Sequence, residues 1–259
     1  MTTPKVNFTL LEHMFNDGMF HIVIEEAKDI LTTADTLIDQ IKLEMLISRS
    51  FLVTSHPTLA LEYNSLAYQK VMQINDANLR AHVMFHFSRI LLELNDSETA
   101  LKFAKRTCMI YKDLLDNFHL SKTYNLLGQI YAHKEFPKKA RDYYLAGLTC
   151  SDPSDKLTQL TLKLNLLRLS LHEMPLDYQH TLTILENLQP EVEQYGNLVL
   201  KNTMFFIYAT LYRQLEDYDK FHCVLNQMEQ LNDFLNIPTI ESFITNQRDQ
   251  LKQKPILSY

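Results

Sequence analysis

Apolar residues along this chain lack the strict alternation of strands and instead suit one buried helix face. After Pro238, for example, Ile240, Phe243, Ile244 and Leu251 share a face with Gln and Lys opposite. A longer period lies over the short one. Ala60, Ala100, Ala140, Thr181 and Phe221 are 40, 40, 41 and 40 residues apart. Twelve residues before them stand Ser48, Ser88, Gly128, Leu169 and Ala209, and three residues after those come Phe51, Leu91, Tyr131, His172 and Tyr212. Leu11, Met14 and Val23 form a weaker first copy. A fixed period of this length marks an array whose units bury their apolar faces against their neighbours.

The breakers fit helix pairs. His56-Pro57, Phe136-Pro137 and Met174-Pro175 fall in turns within units, and Asp152-Pro153 and Ile237-Pro238 fall between units, where proline starts or stops helices. Gln189-Pro190 predicts either a kink or a separate piece over 191–194. Residues 252–259 are expected to be a loose tail. With only 4 Gly and 8 Pro among 259 residues, and 46% hydrophobic residues, the chain favours helix and can build a sizeable core.

The spacing resembles the tetratricopeptide (TPR) pattern, in which a small residue on the first helix is followed by an aromatic three residues on and an Ala twelve residues on. Tyr124–Tyr131 followed by Ala140, and Ala209–Tyr212 followed by Asp217-Tyr218, carry it best. Leu11 and Leu169 are bulky at the small position, and Phe136 sits one place early for the usual turn aromatic. The resemblance implies an all-α, right-handed TPR-like solenoid of about six helical-hairpin repeats (5–38, 39–78, 79–118, 119–152, 155–195, 198–236) with a capping helix over 238–253, in one domain. Repeats near 40 residues, with segments such as Ala140-Arg-Asp-Tyr-Tyr-Leu-Ala-Gly-Leu148, resemble the peptide-pheromone receptors of Gram-positive bacteria and their phages: the Rap, Rgg, PlcR and arbitrium receptor group.

In such an array the first helix of each repeat lines a concave groove. Side chains one position after the small residue give Arg49, Arg89 and Gln129, and those three before it include Met45, Phe85 and Asn125. Asn165 follows Asn125 by 40 residues, so the fifth repeat is expected to shift by one, turning Asn165, Arg168 and His172 inward, with Asn202 near the same surface. Asn can bond a peptide backbone as donor and acceptor, and Arg can grip a carboxylate bidentately. Phe85, Met45, Phe15 and Leu52 would supply apolar pockets between them. The expected peptide-binding set is therefore Arg49, Phe85, Arg89, Asn125, Gln129, Asn165, Arg168 and Asn202. The plainer alternative is that these are solvated positions which recur because the architecture does.

The resemblance implies an intracellular regulator that binds a short signalling peptide, as in quorum sensing and transcription regulation. The alternative is a general TPR adaptor for a protein segment. No N-terminal recognition helix rich in Arg, Lys, Asn or Gln is visible. The chain then reads as an isolated sensor, a receptor acting through protein contacts, or one lacking its DNA-binding part, with no direct nucleic-acid contact of its own. A Rap-type phosphatase would need a further N-terminal bundle with a catalytic Gln.

Charge and chemistry add little. The net charge is −6, with seven acidic side chains against Lys5 and Lys28 in residues 1–40, and nine Lys/Arg against four Asp/Glu in 101–142. The basic middle suggests either a solvated surface or a groove that attracts an acidic segment. Phosphate-cradling loops, nucleophile elbows and paired-cysteine motifs are missing, so no enzyme, cofactor or metal is expected. His82 and His86, four apart on one helix, lack a third ligand nearby and read as an ordinary structural or surface pair. Cys108, Cys150 and Cys223 are expected to be buried and reduced, as in a cytoplasmic protein. No run approaches a membrane span or a signal peptide. Apolar Phe234, Leu235 and Ile237 suggest a homodimer.

Overall fold

A computed structural model describes residues 6–171, 177–235 and 237–252. His172, the Met174-Pro175 turn and the tail beyond Lys252 lie outside them. Among the described residues there are thirteen α-helices and no strand. Six pairs run in chain order: α1 (Phe8–Asn16) with α2 (Phe20–Leu31), α3 (Leu37–Val53) with α4 (Pro57–Val71), α5 (Ala77–Glu93) with α6 (Ser97–Asp113), α7 (Asn117–His133) with α8 (Pro137–Cys150), α9 (Lys156–Ser170) with α10 (Tyr178–Tyr195), and α11 (Leu198–Gln214) with α12 (Tyr218–Leu235). The last helix, α13 (Pro238–Lys252), packs on α12.

The helices start where their caps stand. Asp76, Asp96, Asp116, Asp155 and Asp177 each accept a hydrogen bond from a first-turn N–H of the helix that follows, satisfying donors that would have no partner within the helix. Pro57 and Pro137 sit at first-turn positions. The first helices of four pairs end on left-handed residues, Ser55, Asn95, Glu135 and Glu216. The N–H one residue later then bonds back five residues, from His56 to Phe51, Asp96 to Leu91, Phe136 to Tyr131 and Asp217 to Tyr212. This repeated stop gives each hairpin the same tight turn.

The small position holds each pair together. Ser48 Oγ and Ser88 Oγ donate to the Ala60 and Ala100 carbonyls of the facing helices, each at 2.7 Å. At the next repeat the Tyr144 ring takes this space: a Cβ on Gly128 would fall 2.3 Å from the ring. Ala60, Ala100 and Ala140 are fully buried.

Helix α10 continues through Pro190 to Tyr195, so 191–194 is not a separate piece. Proline removes one helix hydrogen bond, but beyond it Val192 is fully buried in the core and anchors the last turn.

The two ends of the array touch. The α1–α2 turn packs on α11 and α12: a Cβ on Gly18 (φ +82°) would lie 3.2 Å from Leu198 and 3.4 Å from Leu235. Phe20 of α2 is buried in the same apolar cluster as Leu235, Ile237, Ile240 and Ile244. The Ser55 and Thr239 hydroxyls stand 3.3 Å apart. This corrects the reading of the C-terminal apolar run. Leu235 and Ile237 belong to the chain's own core, and of the three only Phe234 is exposed. Cys108 is buried, whereas Cys223 is exposed on α12, contrary to expectation.

Candidate functional site: the inner trough

The odd-numbered helices line the inside. Successive ones touch, α3 with α5, α5 with α7, α7 with α9 and α9 with α11, and two cavities follow them. The first, of about 640 Å³, takes its wall from α1, α3, α5 and α7 together with Tyr111. The second, of about 930 Å³, lies mainly along α5, α7 and α9, with Phe206 from α11. Arg89 borders both.

Six of the eight expected residues border these cavities: Arg49, Phe85 and Arg89 the first, and Arg89, Gln129, Asn165 and Arg168 the second. Asn125 and Asn202 border neither. Asn125 is nonetheless bound into the wall: Asn165 Nδ2 donates to its Oδ1 at 2.8 Å. The forty-residue spacing thus places two amides in contact, leaving the Asn125 donor and the Asn165 acceptor for other partners. Asn202 holds its Oδ1 buried without a hydrogen-bond partner. Arg168 lies by Tyr144, whose hydroxyl burial pushes up to about 12 against the pull of that guanidinium.

Arg49 is not a free clamp. Its guanidinium donates twice to the Glu12 carboxylate, at 2.6 and 3.1 Å, and lies over the Phe15 ring with its centre 4.3 Å from the ring centroid. Glu12 escaped the sequence reading, though a signal existed: it stands one position after Leu11, the place Arg49 holds after Ser48 and Arg89 after Ser88.

The histidines were also misjudged. His82 and His86 border the first cavity beside His119. The His82 and His119 rings meet edge to face with centroids 4.3 Å apart. His119 stacks on Tyr111, and its Nδ1 lies 2.6 Å from Asp116 Oδ2. Burial, helped by His119, pushes His82 down to about 4. Burial and the nearby Arg49 and Arg89 hold His86 well below its ordinary value. Nothing in the spacing of α7 forecasts His119, because its place is set by the cap of that helix rather than by the repeat. Among the described residues no group of three or more His, Cys, Asp or Glu could hold a metal ion.

The basic middle of the chain contributes little to this surface. Lys102, Lys105, Arg106, Lys112, Lys138 and Lys139 are exposed on the even-numbered helices, and only Lys122 of that stretch reaches the first cavity, joining Lys42, Arg49 and Arg89. The inner positive charge therefore comes from the odd-numbered helices, where periodicity turns those positions inward.

Fold and trough together define a TPR-like α-solenoid. No protein-family model matches the sequence, and no curated protein matches it. Solved structures do resemble it. A Rap protein complexed with competence and sporulation factor is similar over 94% of this chain and 74% of its own, at a TM-score of 0.69 and 11% identity. The apo form of RapI is similar over 91% of this chain and 94% of its own, with a TM-score of 0.58 and 13% identity. BtubC from P. vanneervenii covers 87% and 92%, at 0.56 and 14%. At such identities the likeness is one of fold. No helix among the described residues is long and apolar enough to cross a membrane.

Proposed function

We propose that this protein is a peptide-responsive regulator whose trough holds a short polypeptide segment and whose touching ends respond to its presence. The carrying observation is the pair of cavities that meet at Arg89 and run on to the Asn125–Asn165 pair. Their combined size suits a segment of several residues rather than a compact metabolite. Arginines, amides and an aromatic wall match the needs of an extended backbone with mixed side chains. The Rap protein of similar fold was solved complexed with competence and sporulation factor, which supports reading the trough as a ligand site. This reading assigns no reaction to the chain.

Calorimetry with pools of synthetic peptides of about five to ten residues tests it. We expect binding that weakens by about tenfold or more in Asn125→Ala and in Asn165→Ala, since each leaves its partner amide and the ligand's peptide group unpaired. Failure of all pools, alongside capture of a folded protein, would move the assignment to an adaptor.

A further inference from the structure

Four inward positions form a ladder across successive repeats: Glu12, Arg49, Arg89 and Gln129. The first rung is closed, with Glu12 holding Arg49 through two hydrogen bonds above the Phe15 ring. The next is open. Arg89 has the like charge of Arg49 on one side and a neutral amide on the other, and makes no ion pair among the described residues. Its nearest counter-charge, Glu93, lies on the same helix and does not form an ion pair with it. One turn before Arg89, His86 lines the same cavity with its Nδ1 buried and unpartnered. The charged side chains bordering the cavity are Lys42, Arg49, Arg89 and Lys122 against Glu12 alone.

A half-buried guanidinium beside another of like charge is costly unless an anion joins it. The closed rung displays the kind of anion that fits: a planar carboxylate held by both arms of the fork. Phe85, Met45 and Leu79 border the same space, which favours an anion attached to an apolar body over a compact, fully hydrated one.

We propose that the first cavity is a carboxylate-recognition site, in which Arg89 grips a carboxylate of the bound segment while an adjoining apolar side chain packs on Phe85. This rests on the trough being the ligand site and names the chemistry at one end. The carboxylate comes from the segment's free C-terminus or from an Asp or Glu side chain.

Three hexapeptide pools decide it, titrated into the full chain: free C-terminal acids without Asp or Glu, the same sequences amidated, and amidated sequences carrying one Asp or Glu. Binding of the first pool about tenfold or more above the second, lost in Arg89→Gln and partly kept in Arg89→Lys, is the result expected for a C-terminal source. The same pattern with the third pool assigns the side-chain source. Equal binding by all three overturns the carboxylate site and leaves the peptide reading standing, whereas binding by none overturns both. A ligand-free arm is independent of any peptide. Arg89→Gln is expected to melt no lower than wild type, and Arg49→Gln clearly lower because it strands Glu12. An Arg89→Gln melting point that falls as far as that of Arg49→Gln overturns the site.

Discussion

Leu115 holds left-handed backbone (φ +54°) between α6 and α7, with its side chain 85% exposed. An L side chain in that region costs on the order of 1–2 kcal/mol, and here almost nothing is buried in return. Leu115→Gly should therefore stabilise the protein by about 0.5–1 kcal/mol, the gain being trimmed by the looser unfolded chain. Urea denaturation measures it, and a loss of stability would show that the exposed leucine makes a contact worth keeping. A second residue-scale effect is acid sensitivity. His82 titrates near 4 when folded, against an ordinary 6.5, because burial and His119 oppose its charge. Between those values the unfolded chain takes up a proton that the folded chain refuses. Stability is thus unaffected above pH 6.5 and falls as the pH drops toward 4, by about 2 kcal/mol at pH 5 from this ring alone. His86 acts in the same direction. Melting temperatures from pH 7 to 5 should fall in the wild type and fall less steeply in His82→Gln, with slope rather than absolute stability as the readout. Neither effect was legible in the sequence. Leu115 sits where a periodicity argument sees only a connection, and the shift of His82 comes from a ring supplied by another helix.

At the scale of the helix pair, the forty-residue spacing carried much more, because the small position has one physical task. Ser48 and Ser88 perform it with a hydroxyl bonded to the facing helix, Gly128 with no side chain at all. A Cβ at 128 would meet the buried Tyr144 ring at 2.3 Å, and neither partner can give way in a packed hairpin. Gly128→Ala should cost about 1–3 kcal/mol by overpacking, although alanine is the better helix former. Gly128→Ala combined with Tyr144→Leu should recover part of the loss, measured by denaturation. If the single variant proves as stable as wild type, the close approach of α7 and α8 is not what the glycine serves. The inward Arg and Asn positions were legible for the same reason: the period fixes which side of a helix faces inside. Their partners were not. The period alone gave no warning that Glu12 would hold Arg49, or that Asn165 would spend its donor on Asn125, since contacts across repeats depend on how tightly the array curls.

That curl is set by the whole molecule, and its consequence is the meeting of residues nearly the full chain apart. In an open solenoid each repeat touches only its neighbours, and changes at opposite ends add independently. Here Phe20 of α2 is buried in one cluster with Leu235 at the end of α12, and the turn at Gly18 rests on Leu198 and Leu235. Phe20→Ala and Leu235→Ala should each cost about 2–5 kcal/mol through the space they leave. Their combined effect should depart from the sum by about 0.5–3 kcal/mol, the range for residues sharing a packed site. Strict additivity would mean that the ends lie side by side without a common core. The same contact gives the trough its means of reporting a ligand. Both cavities lie on the inner wall that the closure completes, so a segment that changes the spacing of α3, α5 and α7 must also shift the packing of α2 on α12. Scattering from the Phe20→Ala variant should show a larger radius than wild type. The difference should narrow when a bound peptide, rather than the lost aromatic ring, holds the first repeats in place.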